Sequence, residues 1–165
     1  MTSTNQTNFQ KIQEFHNASG LENHQEHQLD IFSEEKAGLI KLRLDLIQEE
    51  FNELKEAIQN NDFPEVRDAI SDILYVVYGA AASFGINADR DYDLVHKSNM
   101  SKFCKTEELA KATVDSYQLK FEAGTSPYDT PTYRLSSDGK YYVVFNESTG
   151  KILKSIDYKP VDLSL

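Results

Sequence analysis

LIQEEFNELKEAI at residues 46–58 and DAISDILYVVYGA at residues 68–80 decide the fold. Around the first, Ile40, Leu44, Ile47, Phe51, Leu54 and Ile58 advance by three or four positions, the spacing of one helix face. Leu39, Leu42 and Leu46 begin a second stripe, which predicts a largely buried helix from Ser33 to about Asn60. Ser33 with Glu34 and Glu35 reads as its N-cap and acidic first turn. The second stretch continues a helix that opens with Asp62 as N-cap and Pro64 near its first position. Its apolar face runs through Val66, Ile70, Ile73, Leu74 and Val77 into the small residues Gly79 to Ala82, which permit close packing, and Gly85 ends it.

Acids interrupt these stripes. Leu39, Leu42 and Leu46 are followed on the same face by Glu49 and Glu53, with Glu50 three residues from Glu53; on the second helix Asp68 and Asp72 are four apart. Any one of these acids alone would read as part of a solvated helix face. Their arrival together, on adjacent helices and at positions otherwise filled by leucine or isoleucine, points to a site. Antiparallel packing across the turn at Asn61 would bring the two groups toward each other. Clustered, partly desolvated carboxylates repel one another unless protons or cations compensate. Oxygen-only ligands favour a hard cation, Mg²⁺ or Mn²⁺, and the absence of Cys and His argues against zinc, since His24 and His27 lie outside the cluster.

Outward from this pair, Phe9, Ile12 and Phe15 predict a short amphipathic helix over about 8–16, ended by Ser19 and Gly20. The polar run from Leu21 to Asp30 reads as a solvated connection. Asn87 to Asp91 lead into a helix with Leu94, Val95 and His96, where His96 reads as a packing residue; Tyr75 and Tyr78 read as core aromatics. A further helix is expected from about Thr106 to Leu119. Residues 124–137 read as loop, and YYVVF at 141–145 reads as a strand that pairs with residues 151–156 in a hairpin. The expected architecture is an all-α bundle with a small C-terminal β-hairpin extension, divided into residues 1–120 and 121–165.

The chain has 165 residues and a formal charge of -10, with 27 acidic against 17 basic side chains. That balance opposes binding to a nucleic-acid backbone, yet it is compatible with a phosphorylated small substrate if bound cations reverse the local potential. Cys104 is the only cysteine, so no intrachain disulfide forms. The polar stretch from Met1 to Gln10 has no signal-peptide core, and no run of apolar residues is long enough to cross a membrane. A cytoplasmic protein is the expectation.

LIQEEFNELKEAI resembles the EExxE helix of MazG-type enzymes, and DAISDILYVVYGA resembles that family's second acidic helix. VHKSNMSK, residues 95–102, is similar to the segment in which a basic residue, an asparagine and a lysine follow. The tail from Gly150 to Leu163 is similar to a closing segment of some members. The resemblance implies a MazG-like helical bundle that cleaves a nucleoside triphosphate between the α and β phosphates. It implies that Glu49, Glu50, Glu53 and Asp72 bind Mg²⁺ or Mn²⁺ and carry catalysis, with Asp68 as a further ligand. Lys97, Asn99 and Lys102 would meet the triphosphate or nucleotide, and Glu49 is a candidate to take a proton from the attacking water. Homodimers or homotetramers are implied, with a house-cleaning role on (deoxy)nucleotides; phosphoribosyl-ATP as substrate and an inactive helical binding or regulatory module are the alternatives. Many members carry ExxD ending at the place of Asp72, which puts Glu at position 69. Here that position is Ala69, with Asp68 one residue earlier and a literal ExxD at Glu65 and Asp68.

Overall fold

The computed structural model describes residues 6–164, so the first half of the polar N-terminal stretch lies outside the described residues. Five helices, α1 (Asn8–Ser19), α2 (Ala37–Gln59), α3 (Phe63–Phe84), α4 (Ala88–Met100) and α5 (Glu107–Glu122), precede two strands, β1 (Pro131–Leu135) and β2 (Tyr142–Asn146). The fold is mainly helical with a small antiparallel hairpin, as the sequence predicts. The chain forms two compact units, Met1–Asp91 and Tyr92–Leu165. The division falls within α4, and residue 120, the expected boundary, lies inside α5.

In the first unit, α2 reverses into α3 through a turn of three residues. Asn61 adopts φ 56, a left-handed conformation that asparagine tolerates better than most residues. Asp62 then caps α3, its carboxylate accepting from the Glu65 amide at 3.3 Å. So short a turn makes the helices antiparallel neighbours, and α3 is the main packing partner of α2. Phe9 and Ile12 of α1 close a core against Ala81 and Ala82 of α3. Ser33 does not cap its helix: Glu34–Lys36 form a 3-10 turn, and the Ser33 hydroxyl makes no cap hydrogen bond.

Residues 21–30 are exposed along most of their length, as a solvated connection should be, and they are also tied down, with the His24 amide donating to the Ala82 carbonyl at 3.2 Å and the Gln28 amide to the Phe84 carbonyl at 3.0 Å. The connection thereby satisfies carbonyls at the end of α3 that the helix leaves open. The two stripes of α2 are also less covered than expected: only Arg43 and Ala57 are buried, and Leu44, Phe51 and Ile58 are half-exposed or more.

In the second unit, Cys104, Ala110, Val144 and Leu153 form the core. The strand partner differs from the expectation. Tyr142–Asn146 pairs with Pro131–Leu135, and residues 151–156 contribute only an isolated bridge between Phe145 and Ile152. The fully buried Asn146 explains the choice, because its carboxamide accepts from the Thr130 amide at 3.0 Å and donates to Asp129 at 3.1 Å, holding the approach to β1. A stretch rich in Thr, Ser and Pro carries little strand signal until such a partner is in place.

Candidate metal and nucleotide site

Gly79 and Arg43 fix the register between α2 and α3. A Cβ on Gly79 would lie 3.5 Å from Arg43 Nη1, so these positions face each other. Seven residues, two helical turns, lead from Arg43 to Glu50 along one face of α2, and seven lead from Gly79 back to Asp72 on α3. Antiparallel packing therefore sets Glu50 opposite Asp72. One turn closer to the reversal, Glu53 stands opposite the buried Ala69, flanked by Asp68. The short Asn61 turn and the seven-residue spacing together build this meeting of acids.

Glu50 is the inward member. It is half-buried, and its Oε2 is shielded from solvent without a hydrogen-bond partner among the described residues. Partial burial, followed by the fields of Glu53, Asp72, Glu49 and Asp68, pushes its carboxyl above the usual glutamate range. All five acids singled out in the sequence therefore share one field. Asp68, which both placements of the second acidic motif contain, is among the acids that act on Glu50. Glu49, Glu53 and Asp68 are exposed. Among the described residues no three carboxylate, imidazole or thiol groups are drawn together tightly enough to hold an ion as they stand. The donor chemistry and the orphaned oxygen fit a hard divalent cation; the exposed side chains would have to turn inward to complete its shell.

Arg43 went unnoticed in the sequence, where an arginine between Leu42 and Leu44 reads as solvated surface. It is 6% exposed; its Nε has no partner among the described residues, and burial depresses its affinity for the proton. Beside it lies His16, also buried, whose Nδ1–H donates to the Glu22 carbonyl at 2.9 Å. Burial holds this imidazole below its usual range, outweighing the Glu22 contact, and the Arg43 charge acts in the same direction. A buried cation and a half-buried carboxylate thus lie two turns apart on one face of α2, roughly 10 Å along its axis. Charge is divided as unevenly between the units: 17 acidic and 7 basic side chains through Asp91, and 10 of each from Tyr92 onward.

Tyr75 and Tyr78 are not simply core. With Ile12 and Leu74 they line a cavity of about 210 Å³ between α1 and α3, and the Tyr78 hydroxyl donates to Asp89 at 2.9 Å. Lys97, Asn99 and Lys102 belong to the second unit. Lys102 Nζ donates to Asn99 Oδ1 at 2.6 Å, whereas Lys97 is exposed, as is His96, which does not pack as expected.

The sequence pattern of the phosphoribosyl-ATP pyrophosphohydrolase family matches residues 12–99, more than half of the chain, from α1 through all five acids to Asn99. The chain belongs to that family. Membership implies a pyrophosphohydrolase acting on a nucleotide. An uncharacterized protein of Acanthamoeba polyphaga mimivirus is 30% identical to this chain, across 93% of this chain and 92% of its own length. The likeness to it thus extends through the second unit, beyond the segment that the phosphoribosyl-ATP pyrophosphohydrolase pattern covers. No single helix among the described residues is long and apolar enough to cross a membrane.

The strain at Glu50 has a measurable sign. A carboxyl whose proton affinity is raised on folding adds stability while protonated, and that contribution is lost as pH rises through the folded-state value. Without divalent cations at neutral pH, Glu50→Gln is therefore expected to stabilise the protein by about 1 kcal/mol, or roughly 2–4 °C in Tm. The advantage should fade as pH is lowered and Glu50 takes up its proton. Thermal denaturation in EDTA across this range checks it; a destabilised glutamine variant at neutral pH would show that the acids do not strain the fold.

Proposed function

We propose that the chain is a Mg²⁺-dependent nucleoside triphosphate pyrophosphohydrolase that cleaves between the α and β phosphates and leaves a nucleoside monophosphate and pyrophosphate. The observation that carries this reading is the orphaned oxygen of Glu50 in the field of four further acids on two antiparallel helices. Such an excess of negative charge serves no purpose in a packed interface; a divalent cation relieves it. Glu49, Glu50, Glu53 and Asp72 would hold Mg²⁺, or Mn²⁺ in its place, with Asp68 as a further ligand. Bound there, the ion would make a water more acidic and neutralise charge on the phosphoryl group.

The remaining roles fall to groups of the chain. Glu49 is exposed and is the carboxylate available to accept a proton from the attacking water. Lys97, Asn99 and Lys102 would meet the phosphates or the nucleotide. The uncovered apolar side chains of α2 and α3, among them Leu44, Phe51, Ile58 and Leu74, suit a homodimer or homotetramer, because exposed apolar area of that extent marks an association surface. A cytoplasmic nucleotide-pool enzyme with neither nucleic acid nor membrane as partner fits this assignment. The description of the matched family favours a second substrate, phosphoribosyl-ATP.

The test is incubation of the purified chain with ribo- and deoxynucleoside triphosphates and phosphoribosyl-ATP, with Mg²⁺ or EDTA, measuring pyrophosphate and monophosphate. Metal-dependent pyrophosphate from the parent and none from Glu53→Gln is the expected result. In the same preparations Mg²⁺ should raise the Tm of the parent by mass action and leave Glu50→Gln nearly unmoved. Silence across the whole panel together with no Mg²⁺ shift would overturn the assignment.

A further inference from the structure

The second unit carries a concave surface made wholly from its own residues, most of them beyond the family match at 12–99. It encloses about 480 Å³, within the range of small-molecule sites. Its floor is apolar and half-buried: Met100, Phe103, Leu109 and Tyr141, with the Phe103 and Tyr141 rings tilted at 41° and their centroids 6.0 Å apart. Its rim is cationic. Lys97 lies in the last turn of α4, Lys105 precedes α5 and Lys159 comes from the tail, with Asp157 as the one carboxylate and His96 beside them.

Among the described residues none of the three ammonium groups is paired with a carboxylate, as is true of most lysines of the chain; what sets this rim apart is how Lys159 is placed. The tail that delivers Lys159 is fastened. Its amide donates to Ser101 Oγ at 2.9 Å, and its carbonyl accepts from Ser98 Oγ at 2.9 Å and Ser101 Oγ at 3.2 Å. Another bond joins the Ser155 amide to the Lys102 carbonyl at 3.1 Å. A segment of about 60 residues beyond α4 is thus brought back so that Lys159 stands beside Lys97 over an aromatic floor.

An apolar floor with two aromatic rings and cations at its edge matches the chemistry of an aromatic ring that carries phosphate. Inorganic phosphate would not use the floor. A nucleic-acid strand would need basic surface continuing past the rim, and this unit is neutral overall, with 10 acidic and 10 basic side chains. We propose that the pocket binds a single nucleoside phosphate, with the base against Phe103 and Tyr141 and the phosphates against Lys97, Lys105 and Lys159. Binding here needs none of the α2 and α3 acids and shares only Lys97 with the hydrolase assignment, so substitutions at Lys105, Lys159 and Tyr141 test it separately.

The experiment is calorimetric titration of the full chain in EDTA, where the acid cluster repels phosphates, with AMP, ATP, inorganic phosphate and a short single-stranded oligonucleotide. AMP and ATP are expected to bind, ATP more tightly, with inorganic phosphate weaker than AMP. In the double variant Lys105→Glu/Lys159→Glu both nucleotides should lose about tenfold or more in affinity. Tyr141→Leu should weaken AMP while leaving inorganic phosphate unchanged. Because the three substituted side chains lie at the surface or on the pocket wall, an unaltered Tm in each variant separates lost binding from lost folding. Equal affinity of parent and double variant, phosphate binding as well as AMP, or preference for the oligonucleotide would each overturn the proposal.

Discussion

Glu50→Gln is expected to lower pyrophosphate release by about a hundredfold or more, the upper end of what losing even an outer partner of a metal ligand costs, in a protein that is no less stable than the parent. Glutamine keeps the size of the side chain and removes its charge. Glu50 is the one acid of the five with a shielded, unpartnered oxygen, so it is the one whose charge is held by packing and not by solvent. Glu65→Gln is the matching control: Glu65 lies three residues from Asp68 on the same helix, but is exposed and is not among the acids that act most on Glu50. It should retain activity within a few-fold. Steady-state rates at saturating Mg²⁺, read beside the melting temperatures, distinguish the cases. If both variants lose activity alike, the site lies nearer the α2–α3 turn than the register places it; if neither does, these acids are not the catalytic centre.

Opposite signs for stability and activity in one substitution are what a functional strain produces. A protein selected only to fold would put an apolar residue opposite Asp72, since pairing like charges at a half-buried position lowers stability.

The elements that were legible in the sequence are those whose signals are local. Asp62 and Pro64 open α3 and Gly85 closes it within one residue of expectation, because caps act on their own helix. The acids stand out in the sequence as a candidate group because charge interrupts the apolar period on two adjacent helices. What escaped depends on distant partners. Pro131–Leu135 becomes a strand through the buried Asn146 and its bonds to Thr130 and Asp129, which no local pattern announces. Arg43 looks like surface until the facing Gly79 of α3 and the buried His16 are in place beside its guanidinium. The pocket of the second unit joins residues from 96 to 159, a spacing far beyond any periodicity. The uncovered side of α2 shows the reverse error, since an apolar stripe predicts burial but does not say whether the same chain supplies the cover.

The polar connection at residues 21–30 is solvated as its composition predicts, but its attachment to α3 depends on distant partners, and Gly85→Ala should expose it. Gly85 ends α3 with φ 70, the left-handed region in which a side chain costs about 1–2 kcal/mol. A Cβ there would also meet the Glu26 carbonyl oxygen at 1.8 Å and its carbon at 2.6 Å. Those are backbone atoms of a segment held by the His24–Ala82 and Gln28–Phe84 hydrogen bonds, so relief requires the connection to lift from the helix end and both bonds to weaken. The combined cost should be about 3 kcal/mol, lowering Tm by roughly 6–12 °C. Gly20→Ala isolates the clash: Gly20 has φ 68 with nothing within 4 Å of its Cβ position, so it should lose only the conformational part. Amide exchange at His24 and Gln28 gives the local readout, and both should lose protection in Gly85→Ala and keep it in Gly20→Ala. Equal melting temperatures for the two variants would mean that the connection yields without cost. Its composition, seven polar residues in a row from Glu22 to Gln28, would then describe it better than its hydrogen bonds.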